Sequence, residues 1–222
     1  MIQTSSAHVI RRVLIASISG SLPDEYRDEA VTLLTEALNA PDDDVRGLAV
    51  IALNEIGANA PAILPAMMGA LADSAELVRK RAARVMGDLG LSAVPALPHL
   101  TAGLQDESKA VRLECASALG RIGPDAEPAL PNLFMLLLEP DVRARTVVAT
   151  AIRKVGSTAI SYTLAMLLDH DPLLRERACD LLGQMGCMED TVVEALLEAC
   201  TDNERDVRDA ARHALDRLQQ RG

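Results

Sequence analysis

The sequence predicts an all-α solenoid of about six helical hairpins stacked in one right-handed array behind a single leading helix. Three observations carry this prediction. An apolar residue followed by Arg recurs six times, at Val45-Arg46, Val78-Arg79, Val111-Arg112, Ala144-Arg145, Leu174-Arg175 and Val207-Arg208, with the arginines 33, 33, 33, 30 and 33 residues apart. Gly57, Gly90, Gly123, Gly156 and Gly186 each follow their Arg by 11 residues. A period in this range marks units that bury their apolar faces only by stacking on their neighbours. Finally, 49% of the 222 residues are apolar, yet only Tyr26, Phe134 and Tyr162 are aromatic. Alanine and leucine suit close helix packing and argue against a sheet, which favours aromatic and β-branched residues.

Residues 6–19 read as the extra N-terminal helix. Val9, Ile10, Val13, Leu14, Ile15 and Ile18 make it more apolar than one buried face requires. Three readings stay open: the chain is a piece of a longer array, the helix is a self-association contact, or the turn at 20–24 folds it down and covers both sides. Arg11-Arg12 followed by a short apolar stretch has a faint look of an export signal, but the stretch is short and its helical pattern good.

The first hairpin is expected at 24–57, with helices at 24–39 and 43–56. The second, at 60–90, displays the unit most clearly. Pro61 fits a first helical turn. Ile63, Leu64, Met67, Met68 and Leu71 recur at helical spacing. Asp73-Ser74 breaks this helix and caps the next. Val78, Ala82, Ala83, Val85, Met86 and Leu89 point inward, and Gly90 ends the unit. The third hairpin is expected at 93–123 (helices 93–105 and 108–122) and the fourth at 126–156 (126–138 and 141–155). The fifth follows at 157–186 (157–168 and 171–185) and the sixth at 188–220 (188–201 and 204–219). The last helix carries a polar outer face of Arg205, Asp206, Asp209, Arg212, Asp216 and Arg217, as a terminal repeat needs. No linker interrupts the series, so residues 1–222 are expected to form one domain.

An acid stands six residues before the Arg in five hairpins: Asp73/Arg79, Asp106/Arg112, Glu139/Arg145, Asp169/Arg175 and Asp202/Arg208. Pro65, Pro98 and Pro131 stand eight residues before their acids. These offsets, with the helix Val111-Arg112-Leu113-Glu114-Cys115-Ala116-Ser117-Ala118-Leu119-Gly120-Arg121-Ile122-Gly123, resemble the HEAT repeat family. Within it, they are similar to the bacterial HEAT-like repeats of phycobilisome-lyase type. The resemblance covers about residues 24–220. It implies an armadillo-like superhelix in which the acids and arginines form a structural ladder of ion pairs, one per hairpin. Two departures stand out: Ala40 replaces the acid of the first hairpin, and the last two hairpins lack the proline. Repetition spreads these charges along the array, whereas catalysis needs them to converge.

Composition excludes several functions. The net charge is −10 and there is no Trp, which suits neither counterion release from phosphates nor base stacking. No apolar run approaches the length of a membrane span. Neither nucleic acid nor membrane is therefore an expected partner. Cys115, Cys179, Cys187 and Cys200 show no CxxC spacing, and the expected state is reduced thiols in a cytoplasmic protein. Cys187, in a turn, has no basic neighbour in sequence to make it reactive. His8, His99, His170 and His213 lack metal-ligand spacing. Di-iron hydroxylases of the HEAT type carry His-Glu dipeptides, and this chain has none. No catalytic residue, metal or cofactor is expected.

The resemblance places the second helix of each hairpin on a concave face. Positions two, five and nine after the Arg share one outward stripe. It includes Leu48 and Ile51, then Arg81, Arg84, Glu114, Arg121, Val147, Lys154, Arg177 and Asp180. The stripe is mixed to mildly basic in an acidic chain. The expected function is a non-enzymatic protein–protein interaction scaffold whose groove takes an extended or helical segment of another protein, acidic in character. An alternative implied by the lyase-type resemblance is an accessory protein acting on a tetrapyrrole or chromoprotein.

Overall fold

A computed structural model describes residues 12, 13, 15, 16, 19, 20, 22–56 and 60–220. Among them there is no strand. The leading helix expected at 6–19 lies mostly outside the described residues, although Arg12, Val13, Ile15 and Ala16 are helical.

Packing divides the chain into two compact units, Met1–Ile122 and Gly123–Gly222. The first unit contains α1 (Arg27–Ala37), α2 (Asp43–Glu55), α3 (Ala60–Ala70), α4 (Glu76–Leu89), α5 (Leu97–Gly103) and α6 (Lys109–Ile122). The second contains α7 (Leu130–Leu136), α8 (Val142–Val155), α9 (Thr158–Met166), α10 (Pro172–Met185), α11 (Asp190–Ala199) and α12 (Arg205–Gln219). Odd-numbered helices open the hairpins and even-numbered ones close them. None of these helices is long and apolar enough to cross a membrane.

Two first helices depart from the sequence expectation. The segments expected as continuous helices at 93–105 and 126–138 begin as 3-10 turns, Gly90–Ala96 and Pro124–Ala129, and become α-helical only at Leu97 and Leu130. Pro95 and Pro98, and likewise Pro128 and Pro131, lack the N–H that an uninterrupted α-helix would use. The described closing glycines have positive φ, as at Gly123 (83°), a conformation that side-chain-bearing residues rarely adopt.

The closing helices start on aspartates in three hairpins. Asp42, Asp141 and Asp171 accept from the N–H of Asp44 (2.9 Å), Arg143 (2.7 Å) and Leu173 (2.9 Å). The cap expected at Asp73-Ser74 takes another form. Ala75 holds the cap position without a side-chain bond, and Asp73 Oδ1 accepts from Ala75 N at 2.8 Å as a side-chain turn. Asp106, Asp169 and Asp202 do the same for Ser108, Asp171 and Glu204.

The core follows the inward positions of the repeat. Val78, Ala82, Ala83, Val85 and Met86 are buried on α4, and Val111, Cys115, Ala116, Ala118 and Leu119 on α6. Two pairs of successive closing helices, α4 with α6 and α10 with α12, meet through small residues. A Cβ added at Gly87 would lie 3.0 Å from Ala118 Cα, and one at Gly183 would lie 2.8 Å from Ala214 Cα. Glycine eight positions after one repeat Arg thus receives alanine six positions after the next, drawing α4 onto α6 and α10 onto α12. In the second unit Phe134 stacks on Tyr162 with centroids 6.4 Å apart. On α12, Arg205, Asp206, Arg212, Asp216 and Arg217 are exposed while Val207, Ala211, Ala214 and Leu218 are buried.

Candidate interaction surface

The repeated acids and arginines pair differently from the order in which they stand in the sequence. Within one hairpin the arginine does not meet the carboxylate six residues before it; it takes main-chain carbonyls. Arg79 Nη1 donates to the carbonyls of Asp73 (2.9 Å) and Ser74 (3.0 Å). Arg112, Arg145, Arg175 and Arg208 read the corresponding carbonyls of Asp106, Glu139, Asp169 and Asp202 at 2.6–3.0 Å. The remaining edge of the guanidinium reaches the acid of the next hairpin, 27 residues on. Arg79 Nε and Nη2 clasp Asp106 at 2.7 and 2.9 Å, Arg46 holds Asp73 at 2.8 and 2.9 Å, and Arg175 holds Asp202 at the same distances. This bidentate geometry is the strong form of the carboxylate–guanidinium contact.

The correction explains Ala40. Arg46 needs only the main-chain oxygens of Ala40 and Pro41, at 2.9 and 3.3 Å, so no acid is required there. The arginine that would serve such an acid belongs 27 residues earlier, where the chain has Val13. Sequence reasoning missed Arg46 as a ladder member because it sought partners within each hairpin. The constant offsets 46/73, 79/106 and 175/202 were the available signal. Pairing has an electrostatic consequence: the guanidinium beside each of Asp73, Asp106 and Asp202 holds its carboxyl below the usual range.

In the second unit Arg145 departs from this pattern. The fifth hairpin is three residues short, so Asp169 follows Arg145 by 24 residues. Arg145 keeps its carbonyl contacts to Glu139 (3.0 Å) and Pro140 (2.8 Å), but it pairs with no carboxylate among the described residues.

The predicted stripe is largely neutralised from helix to helix. Arg84 on α4 pairs with Glu114 on α6 at 3.0 Å, and Arg121 on α6 reaches back to Asp88 at 2.5 Å. In the second unit Arg177 contacts Glu176 at 2.7 Å and Asp180 at 3.7 Å, while Arg217 approaches Asp180 at 3.8 Å. Arg84, Arg121 and Arg177, expected on the stripe that meets an acidic partner, already hold carboxylates of this chain. Their side chains reach acids on the same helix or on the adjoining closing helix. Arg81 and the exposed Lys154 have no carboxylate partner among the described residues. Arg81 lies across α2, where a Cβ at Gly47 would meet its Nη1. Val147 is half-buried.

Two clefts open on the closing-helix face. In the first unit a cleft of about 410 Å³ runs between α2 and α4 beside Ile51, Leu77, Lys80, Arg81 and Arg84. In the second, one of about 150 Å³ lies between α8 and α10 beside Val142, Arg145 and Arg177. A third, of about 460 Å³, lies between the opening helices α9 and α11 beside Leu164, Leu168 and Ala195.

Other candidate side chains play packing or surface roles. Burial pushes the Cys115 and Cys179 thiols up to about 12, far from the reactive thiolate. Cys187 and Cys200 pack at the edge of the core around Val192 and Leu196. His99, His170 and His213 are exposed, and His8 lies outside the described residues. Among the described residues no three His, Cys, Asp or Glu side chains group as metal ligands.

Comparison with known proteins agrees with this architecture. The family model described as HEAT repeats matches residues 2–87, 30–104, 69–153 and 136–216. No curated protein matches. Among solved structures, an archaeal HEAT-like repeats protein from Thermococcus onnurineus NA1 is 18% identical, with 97% of each chain covered and a TM-score of 0.54. An engineered protein is 20% identical over 86% of this chain and 97% of its own, with a TM-score of 0.54. A designed armadillo repeat protein in complex with the peptide (KR)4 is 19% identical over 83% of this chain and 98% of its own, at 0.51. At these identities the structures speak for the α-solenoid fold alone. Matched by the repeat model along nearly its whole length, the chain belongs to the HEAT repeat family.

Proposed function

We propose that this protein is a non-enzymatic interaction scaffold that holds a segment of another protein on its closing-helix face. HEAT and armadillo repeats commonly serve as protein-interaction scaffolds. The observation that carries the reading here is the cleft between α2 and α4. It joins exposed apolar surface, with Leu77 42% exposed, to Arg81, a cation that no described carboxylate neutralises. An open cleft walled by two helices suits a peptide segment better than a small molecule, which needs a deep enclosed pocket. The designed armadillo relative holds a basic peptide, (KR)4. The unpaired cations of this chain favour a partner of opposite charge.

The test is affinity capture from native lysate with the wild type and an Arg81→Glu, Lys80→Glu variant, read by quantitative mass spectrometry. Neither side chain carries an ion pair among the described residues, so the variant retains the ladder pairs. A protein captured by the wild type and lost with the variant supports the groove. Equal capture by both overturns it.

A further inference from the structure

We propose that the cleft between α8 and α10 seats a carboxylate side chain of an acidic partner segment, which clasps Arg145 as the ladder aspartates clasp their arginines. The proposal rests on the reading of the closing-helix face as a docking surface and gives it a specific anchor.

Three independent features converge at this cleft. First, Arg145 presents the same fork as Arg46, Arg79 and Arg175. Its Nη1 is fixed by the carbonyls of Glu139 and Pro140, so the guanidinium is already oriented. In the other three the free edge takes a carboxylate at 2.7–2.9 Å. At Arg145 the three-residue shortening of the fifth hairpin moves Asp169 out of register. Second, the small-residue contact that closes α4 onto α6 and α10 onto α12 is missing here. The position of Gly87 and Gly183 is taken by Arg153, and the position of Ala118 and Ala214 by Leu181. At this step of the array α8 barely touches α10. The gap of about 150 Å³ has room for one side chain.

Third, the charge is suited to an acid. Helix α8 carries Arg143, Arg145, Arg153 and Lys154 and no acidic residue, and none of the four meets a carboxylate among the described residues. Across the gap Arg177 leaves its buried Nε without an acceptor. Asp180, the acid at the cleft, is held by Arg177 and Arg217 at 3.7 and 3.8 Å. Leu137, Val142 and Ala149 supply an apolar wall, with Val142 65% exposed at the mouth. A segment alternating acidic and apolar side chains satisfies both the fork and the wall.

The experiment measures fluorescence anisotropy of a labelled octapeptide alternating Glu and Leu, with the same peptide carrying Lys for Glu as control. Arg145→Gln removes the fork. Val142→Asp places a carboxylate at the cleft mouth on the first turn of α8, where the helix dipole favours it. We expect the wild type to bind the Glu peptide and not the Lys peptide, with affinity falling as salt rises. Both variants should weaken binding at least tenfold while retaining far-UV helicity. If Arg145→Gln loses helicity, Val142→Asp decides. Undiminished binding by Val142→Asp, equal binding of the Lys peptide, or no binding by the wild type overturns the proposal. Loss of binding with Arg81→Glu but not with Val142→Asp refutes this anchor while leaving the groove reading intact.

Discussion

Replacing Asp106 by alanine is the sharpest test of how the hairpins are held together. The substitution leaves Arg79, itself only 7% exposed, without its bidentate carboxylate. It also removes the acceptor of Ser108 N. Deleting one partner of a buried pair costs about 3–5 kcal/mol, and the lost main-chain bond adds about 1 kcal/mol. Two features offset this. Arg79 retains the carbonyls of Asp73 and Ser74, and Glu107 waits at 3.3 Å on the solvent side. A net loss of about 2–4 kcal/mol follows. Urea unfolding followed by far-UV circular dichroism measures it, with an unchanged slope showing that stability alone has moved. A double-mutant cycle then identifies the partner. Asp106 should couple to Arg79 by about 1.5–3 kcal/mol and to Arg112, which holds its main-chain oxygen, by less than about 0.5 kcal/mol. A change below about 0.5 kcal/mol for Asp106→Ala, or stronger coupling to Arg112, would refute the ladder as drawn.

Three further outcomes are expected. Asp73, Asp106 and Asp202 titrate below their unfolded value, so their pairs contribute fully above about pH 4 and are lost as pH falls through the folded values. Melting temperature should therefore drop below about pH 4, and less steeply in Asp106→Asn than in the wild type; parallel pH profiles would count against the linkage. Gly183→Ala should destabilise although alanine favours helix by about 1 kcal/mol, because overpacking against the α12 backbone costs about 1–3 kcal/mol. Gly69→Ala, with nothing within 4 Å of the added Cβ, should be neutral or stabilising, and thermal melts should fall for Gly183→Ala and not for Gly69→Ala. Under native alkylation Cys187 and Cys200 should label before Cys115 and Cys179, whose buried thiols sit near 12; peptide mass spectrometry showing the reverse order would contradict the core packing.

The repeat was legible in the sequence because its determinants are local. The spacing of Val78, Ala82, Ala83 and Met86 sets an inward helix face, and Gly123 ends a helix whatever its surroundings. Proline positions were legible too, but not their effect: Pro95 and Pro128 lie in 3-10 segments, and Pro98 and Pro131 stand in the first turns of the α-helices that follow. Of the stripe, Leu48, Arg84, Arg121 and Lys154 are exposed, whereas Glu114, Val147, Arg177 and Asp180 are half-buried. Only stacking sets Glu114 beside Arg84 and Asp88 beside Arg121, pairs that lie 30 and 33 residues apart along the chain.

By itself, then, the sequence determined the helical hairpin, its 33-residue period, its core positions and its membership of a stacked fold, since periodicity and backbone stereochemistry act within one hairpin. Tertiary structure decided which acid each arginine holds, which surface cations remain unpaired, and where two closing helices part. Those outcomes depend on the distance and rotation between one hairpin and the next. Asp73 and Asp106 are both consistent partners for Arg79 along the chain; only stacking brings the carboxylate of Asp106 to the guanidinium and leaves Asp73 offering its carbonyl.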